Sequence, residues 1–202
     1  MDRNALRALI PDETRLRFGE DIAPEYLSDT LGRLRGKASA LVFVRSTEEV
    51  SAVMKYAYAR NIPVTPRGAG TGLVGGCVPL CGGVVLCTTR MNKILSYDMN
   101  NLVVHIQPGV LLCDLAADAL TRGLMYPPDP GEKTATVGGN VSTNAGGMRA
   151  VKYGVTRDYV LAMTVVLPDG RVMELGKTVC KRQHRERYPH TQSPRKIYCL
   201  LR

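Results

Sequence analysis

Residues 66–76 read Pro66-Arg67-Gly68-Ala69-Gly70-Thr71-Gly72-Leu73-Val74-Gly75-Gly76, a stretch too rich in glycine to hold a helix or a strand. The apolar run from Ile62 to Thr65 immediately before it reads as a strand. A glycine loop that leaves a strand can bring many backbone N–H groups toward one point, because no side chain obstructs the approach, and such a loop is a cradle for a pyrophosphate. Gly70, Gly72 and Gly75 also satisfy GxGxxG literally. That fingerprint marks a nicotinamide site of the Rossmann type only when a helix follows at once and aims its N-terminal dipole at the phosphates. Here GCVPLCGGVVLCT follows, with Pro79 and two further glycines. The Rossmann reading therefore fails, and the chain is expected to run as a loop to a strand at Val84–Thr88.

A second segment has the same character. Residues 138–147 read Gly138-Gly139-Asn140-Val141-Ser142-Thr143-Asn144-Ala145-Gly146-Gly147, inside a longer stretch from Pro127 to Gly154 dense in Pro, Gly, Asn and Thr. The stretch has too little apolar periodicity for an ordinary helix, and long loops in compact domains usually carry function. Its glycines are expected to add backbone donors, and its short hydroxyl and amide side chains can bond a sugar-like chain and a pyrophosphate without adding charge.

The remaining pattern places these segments on a scaffold. A short helix is expected from Asp2 to Leu9, stopped by Pro11, with a further helical candidate from Pro24 to Leu34. Ala40–Val44 reads as a strand, and Ser46 or Thr47 caps a helix carrying Val50, Val53, Met54, Ala57 and Tyr58. With the glycine loop and the strand at Val84, these form one small α/β lobe ending near residue 95. Ile94–Tyr97 and Leu102–Ile106 flank a polar turn, Leu111 to Leu120 forms a helical stripe ending at Gly123, and Tyr159–Leu167 with Val172–Leu175 makes a hairpin that closes a second lobe.

A chain of 202 residues, 45% hydrophobic, can bury one sizeable core or two small lobes. No run of 18 apolar residues occurs and the first 20 residues are charged, so a cytoplasmic location without a transmembrane segment is expected. Six cysteines in such a chain are expected to be reduced thiols, and the spacing of Cys77, Cys81 and Cys87, without a nearby His or a CxxC pair, disfavours a metal site. The net charge of +9 invites a nucleic-acid reading, yet nearly all of it sits in residues 177–202, where eight basic side chains face one acidic. That tail has no recognisable nucleic-acid-binding motif, and all 20 glycines lie at or before Gly176. His105, in an apolar run, is read as structural.

Four ordered motifs, PRGAGTGLVGG at 66–76, PPDPG at 127–131, TVGGNVSTNAGG at 136–147 and KYGVTRDYV at 152–160, carry a resemblance over residues 38–180. The chain resembles FAD-dependent flavoproteins of the vanillyl-alcohol oxidase and para-cresol methylhydroxylase (PCMH) type, in the branch of the glycolate oxidase flavin subunit and the FAD-dependent D-lactate dehydrogenases. PPDPG followed by TVGGNVSTNAGG favours this branch over UDP-N-acetylenolpyruvoylglucosamine reductase, the alternative on the same scaffold.

The resemblance implies an α+β fold, a PCMH-type FAD-binding domain of two α/β lobes with FAD between them and the cap domain missing. Its expected organisation is an N-terminal helical segment (1–37), an incomplete FAD-binding domain (38–176) and a basic, disordered or non-native tail (177–202). It assigns Pro66, Arg67, Gly68, Ala69, Gly70, Thr71, Gly72, Gly75 and Gly76 of the first loop, with Thr136, Gly138, Gly139 and Asn140, to the pyrophosphate. Thr143, Asn144, Gly146, Gly147 and Gly154 fall along the ribityl and flavin portion. Pro128 and Asp129 also count as cofactor-binding, although Asp129, like Asp158, is equally suited to capping a turn. The loop has no His where some members attach the flavin covalently, so dissociable FAD is expected. The implied chemistry is oxidation of a D-2-hydroxy acid to the 2-oxo acid, with the Cα hydrogen leaving as hydride to flavin N5, a base taking the hydroxyl proton, and an electron-transfer protein as a partner. The base and carboxylate-binding residues of relatives sit mostly in the cap, so no catalytic residue is assigned and low turnover is expected.

Overall fold

The computed structural model describes residues 1–176, 195–196 and 198–201. The chain divides into two compact units, Met1–Asn92 with Val165–Met173, and Lys93–Thr164 with the residues from Glu174 onward.

In the first unit, α1 (Arg3–Leu9) starts where the Asp2 carboxylate accepts from the N–H groups of Asn4 and Ala5. A short strand, β1 (Leu16–Phe18), pairs antiparallel with β2 (Ala40–Phe43). Between them the expected helix at Pro24–Leu34 is reduced to one 3-10 turn, Pro24–Leu27. Asp29 accepts the N–H of Gly32 through its side chain, and this local turn competes with helix continuation. Ser46 caps α2 (Thr47–Tyr58), its hydroxyl accepting from the Glu49 N–H at 3.3 Å. Asn61, at φ 52°, ends the helix, and the Ile62 N–H turns back to the Ala57 carbonyl. That closing turn consumes Ile62, so β3 spans Val64–Arg67 rather than the expected Ile62–Thr65.

The sheet order is β1-β2-β4-β3, with β4 (Val84–Cys87) parallel to both β2 and β3. Parallel strands covered on both faces read as continuous apolar runs, and every residue of β2 and β4 is buried. Ala40, Val42, Val84 and Leu86 pack in a core with Leu6, Ile10, Leu16 and Val53, while Leu41, Phe43, Val85 and Cys87 pack in another with Ile22 and Tyr26.

In the second unit, β5 (Ile94–Asp98) and β6 (Val103–Ile106) form the expected antiparallel hairpin. α3 (Leu112–Thr121) has no side-chain cap; its first N–H groups, from Leu112 and Cys113, donate instead to the carbonyls of Ala135 and Lys133. β7 (Leu124–Met125) follows. The stretch expected as one long loop then contains two short helices, α4 (Val137–Thr143) and α5 (Ala150–Tyr153). The hairpin of β8 (Val160–Val166) and β9 (Val172–Gly176) is present, its tip counted with the first unit, where Ser51 donates to the Gly170 carbonyl at 2.6 Å.

Of the expected basic tail, residues 177–194, 197 and 202 lie outside the described residues. β10 (Arg195–Lys196) pairs with β7, and β11 (Tyr198–Leu201) lies parallel to both β6 and β8, giving the order β5-β6-β11-β8-β9. Cys199 and Leu201 join the core of Ile106, Leu115, Leu124, Val137 and Tyr159. Burial pushes the Cys199 thiol up to about 12. At neutral pH an aromatic disulfide reagent is expected to modify the exposed Cys81 and to leave Cys199 untouched until the chain is denatured. Peptide mapping of the labelled thiols checks this, and rapid labelling of Cys199 would show that β11 is not seated in the sheet.

Candidate functional site

In the first unit, β3 is an edge strand, so Pro66 can sit within it without costing a ladder hydrogen bond. From Arg67 the chain runs through residues 68–83 to β4 without an intervening helix, the arrangement that excludes a Rossmann site. Among the described residues, no backbone N–H from Gly68 to Cys77 has a hydrogen-bond acceptor. Polar backbone groups are usually paired, so a continuous run of free donors on a half-exposed loop is a surface prepared for an acceptor from outside. A Cβ added at Gly72 or Gly76 would meet nothing within 4 Å, which leaves the approach open. Leu73 and Val74, 59% and 81% exposed, flank it.

Arg67 is placed differently from the other loop residues. Its side chain is buried and its guanidinium donates to the backbone carbonyls of Glu25 (2.6 Å) and Ser28 (2.8 Å), with longer contacts to the carbonyl and thiol of Cys77.

In the second unit the segment from 136 to 147 is not a loop. Thr136 caps α4, its hydroxyl accepting from the Gly139 N–H at 3.3 Å. The N–H groups of Val137 and Gly138 donate to the carbonyls of Val110 and Pro108, and that of Asn140 to the Thr136 carbonyl. Gly138 and Gly139 therefore do not form the free-donor cradle that their composition led us to expect; a Cβ at Gly138 would collide with Pro108. The hydroxyls of Ser142 and Thr143 bond back to the carbonyls of Gly138 and Gly139. Asn144 ends the helix in the left-handed region and accepts from the Arg157 N–H through its side chain. One side-chain donor is left over: Nδ2 of Asn140, a residue only 4% exposed, has no partner among the described residues. The N–H groups of Gly146, Gly147 and Met148 likewise have no acceptor among the described residues. Met148 and Val151 are fully or almost fully exposed.

The PPDPG segment supports this region from below. Pro127, Pro128 and Pro130 are buried, and the Asp129 carboxylate is held by Arg149 at 2.7 Å and by Lys133. Gly147 lies so close to the Asp129 carbonyl that no other residue fits there. Asp158 accepts from the Val155 N–H at 2.8 Å and fills the space beside Gly154, at φ 88°, so it caps a turn. His105 lies within β6. Among the described residues no group of His, Cys, Asp and Glu is placed to hold a metal ion, and no helix is long and apolar enough to cross a membrane.

In the first unit, the free backbone donors of the glycine loop suit a phosphate group, held without side-chain charge; in the second unit, the orphaned Asn140 amide suits a polar acceptor. The pyrophosphate of a flavin dinucleotide fits the donors of the first loop.

Comparison with known proteins agrees. Residues 38–176 match the family described as an FAD binding domain. The chain is 61% identical to a D-lactate dehydrogenase of Anaerostipes hadrus over 83% of its own length and 35% of that protein's. It is 40% identical to the glycolate oxidase subunit GlcD of Bacillus subtilis (strain 168), again over 83% of this chain and 34% of the relative. The chain thus spans about a third of the length of the curated relatives it matches. Among solved structures, an alkyldihydroxyacetonephosphate synthase superposes with a TM-score of 0.75 at 24% identity, covering 87% of this chain and 38% of that one. 6-Hydroxy-D-nicotine oxidase of Arthrobacter nicotinovorans gives 0.67 at 24% identity, covering 84% and 36%. By its residues 38–176 this chain belongs to the FAD binding domain family, and its fold is that of the PCMH-type domains.

Proposed function

We propose that this chain is the FAD-anchoring part of a flavin oxidoreductase that oxidises a D-2-hydroxy acid, lactate or glycolate, to the 2-oxo acid. The observation that carries the reading is the run of N–H groups from Gly68 to Cys77 without an acceptor among the described residues, in a chain whose relatives include a D-lactate dehydrogenase and a glycolate oxidase subunit. FAD is the cofactor, and when bound it supplies the two-electron oxidation.

The chain's own contribution is binding and orientation. The first loop offers N–H groups to the pyrophosphate without a side-chain charge, so the anion is held by oriented dipoles. Within the second unit, Asn140 Nδ2 and the N–H groups of Gly146 to Met148 are donors without a partner among the described residues. The Asp129 and Asp158 carboxylates, occupied within the protein, act as supports for the backbone around them. No side chain described above is assigned to abstract the substrate hydroxyl proton. An electron-transfer protein is the proposed acceptor.

Titration of the purified chain with FAD, FMN and NAD, followed by intrinsic and flavin fluorescence, tests the reading. FAD is expected to bind most tightly, and NAD binding of equal affinity would overturn it.

A further inference from the structure

We infer that Arg67 is a positioning residue that holds the glycine loop in its donor-presenting shape, and not a ligand of the cofactor's phosphates. The inference rests on the proposed binding of FAD by this loop. An arginine at the mouth of a phosphate cradle would ordinarily be read as a charge aimed at the anion, because its planar fork matches phosphate oxygens. Here the fork is turned away. Arg67 is 6% exposed, Nη2 donates to the Glu25 carbonyl at 2.6 Å, and Nη1 donates to the Ser28 carbonyl at 2.8 Å and reaches the Cys77 carbonyl and thiol at 3.4 Å. The guanidinium also lies over the Tyr26 ring, 5.6 Å from its centre.

These contacts join three places in the chain. Arg67 stands at the start of the loop, Cys77 at its end, and Glu25 to Ser28 form the turn on which both rest. Thr30, just beyond that turn, donates its hydroxyl to the Gly70 carbonyl at 3.2 Å and ties down the middle. In a trans peptide the carbonyl and the next N–H point in opposite directions, so fixing the Gly70 carbonyl on Thr30 turns the Thr71 N–H the other way. Gly70, at φ 81°, is wrapped on the guanidinium so closely that a Cβ there would overlap it. Lysine cannot replace this arrangement, since a single ammonium cannot reach separated carbonyls along the two arms of a planar fork.

The test uses the full chain with Arg67→Lys, Arg67→Gln and Thr30→Val, read by FAD titration and by chymotrypsin cleavage after the exposed Leu73 without cofactor. Loss of charge-assisted hydrogen bonds is expected to weaken FAD about tenfold or more in both Arg67 variants and to speed cleavage at Leu73 about tenfold, with the far-UV circular dichroism retained. Thr30→Val, at an exposed position, is expected to give about threefold changes in the same two readouts. Wild-type FAD affinity in Arg67→Lys would show that charge alone matters and would overturn the inference, as would unchanged cleavage at Leu73 in both Arg67 variants. If the Arg67 variants unfold outright, Thr30→Val decides: no change in either readout overturns the inference. A wild-type chain that binds no FAD removes the proposed function, and the cleavage rates then decide the role of Arg67 on their own.

Discussion

Replacing Gly72 with leucine is expected to lower FAD affinity about a hundredfold, roughly 3 kcal/mol, with the fold intact. A side chain at Gly72 enters open space on the first loop, so it clashes with nothing in the protein and obstructs only what approaches the free N–H groups. Gly147→Leu should behave in the opposite way. Its side chain would be driven into the Asp129 carbonyl, a backbone atom held between buried prolines, and overpacking of this kind costs about 1–3 kcal/mol or more. Thermal unfolding followed alongside flavin titration separates the two: Gly72→Leu keeps its midpoint and loses FAD, whereas Gly147→Leu loses its midpoint. A Gly72→Leu chain that binds FAD as tightly as wild type would show that the loop is not the cradle.

Leu115→Ala is expected to destabilise the second unit by about 2–5 kcal/mol, a large share of the 5–15 kcal/mol typical of a domain. Leu115 is fully buried on α3 against Ile106, Leu124 and Val137, where a cavity cannot easily collapse. Leu120 on the same helix is 60% exposed, and Leu120→Ala should stay within about 0.5 kcal/mol of wild type. Urea denaturation of both variants measures the difference, and equal losses would contradict the burial that the fold assigns to this helix.

The parts of the fold that announced themselves in the sequence were those governed by local periodicity and capping. Ser46 before Val50, Val53 and Ala57 marks α2, and the polar residues after Asp98 mark the β5–β6 turn, because each depends on neighbours within one helical or strand repeat. The family and its cofactor were legible from four motifs in order, which the match over residues 38–176 supports.

What was not legible depended on contacts distant in sequence. α4 contains Gly138 and Gly139, both poor helix formers, and is held by the Thr136 cap, by Pro108 and Val110 carbonyls, and by the burial of Val137. Thr136 and Asn144, a good N-cap and a residue that tolerates the left-handed region, were the available signals at its two ends. The commitment of Arg67 to carbonyls of Glu25 and Ser28 could not be read at all, since nothing local to the loop says where a long side chain will turn. Asp129 and Asp158 were ambiguous for the same reason; the structure pairs Asp129 with Arg149 and has Asp158 accept from the Val155 N–H.

The strand order β5-β6-β11-β8-β9 also governs how the second sheet can assemble. Each outer hairpin closes between near neighbours, an event of about 1–10 μs for an isolated hairpin. Among the described residues, the two hairpins are joined by β11, which follows both of them in the chain, with Tyr198 opposite Val103 and Cys199 opposite Val160. Such non-local pairing raises the contact order and slows folding. Until β11 is delivered, β6 and β8 present unpaired backbone edges, the kind of surface through which partly folded chains aggregate. Yield on refolding should therefore fall with protein concentration more steeply than the size of this chain alone would imply.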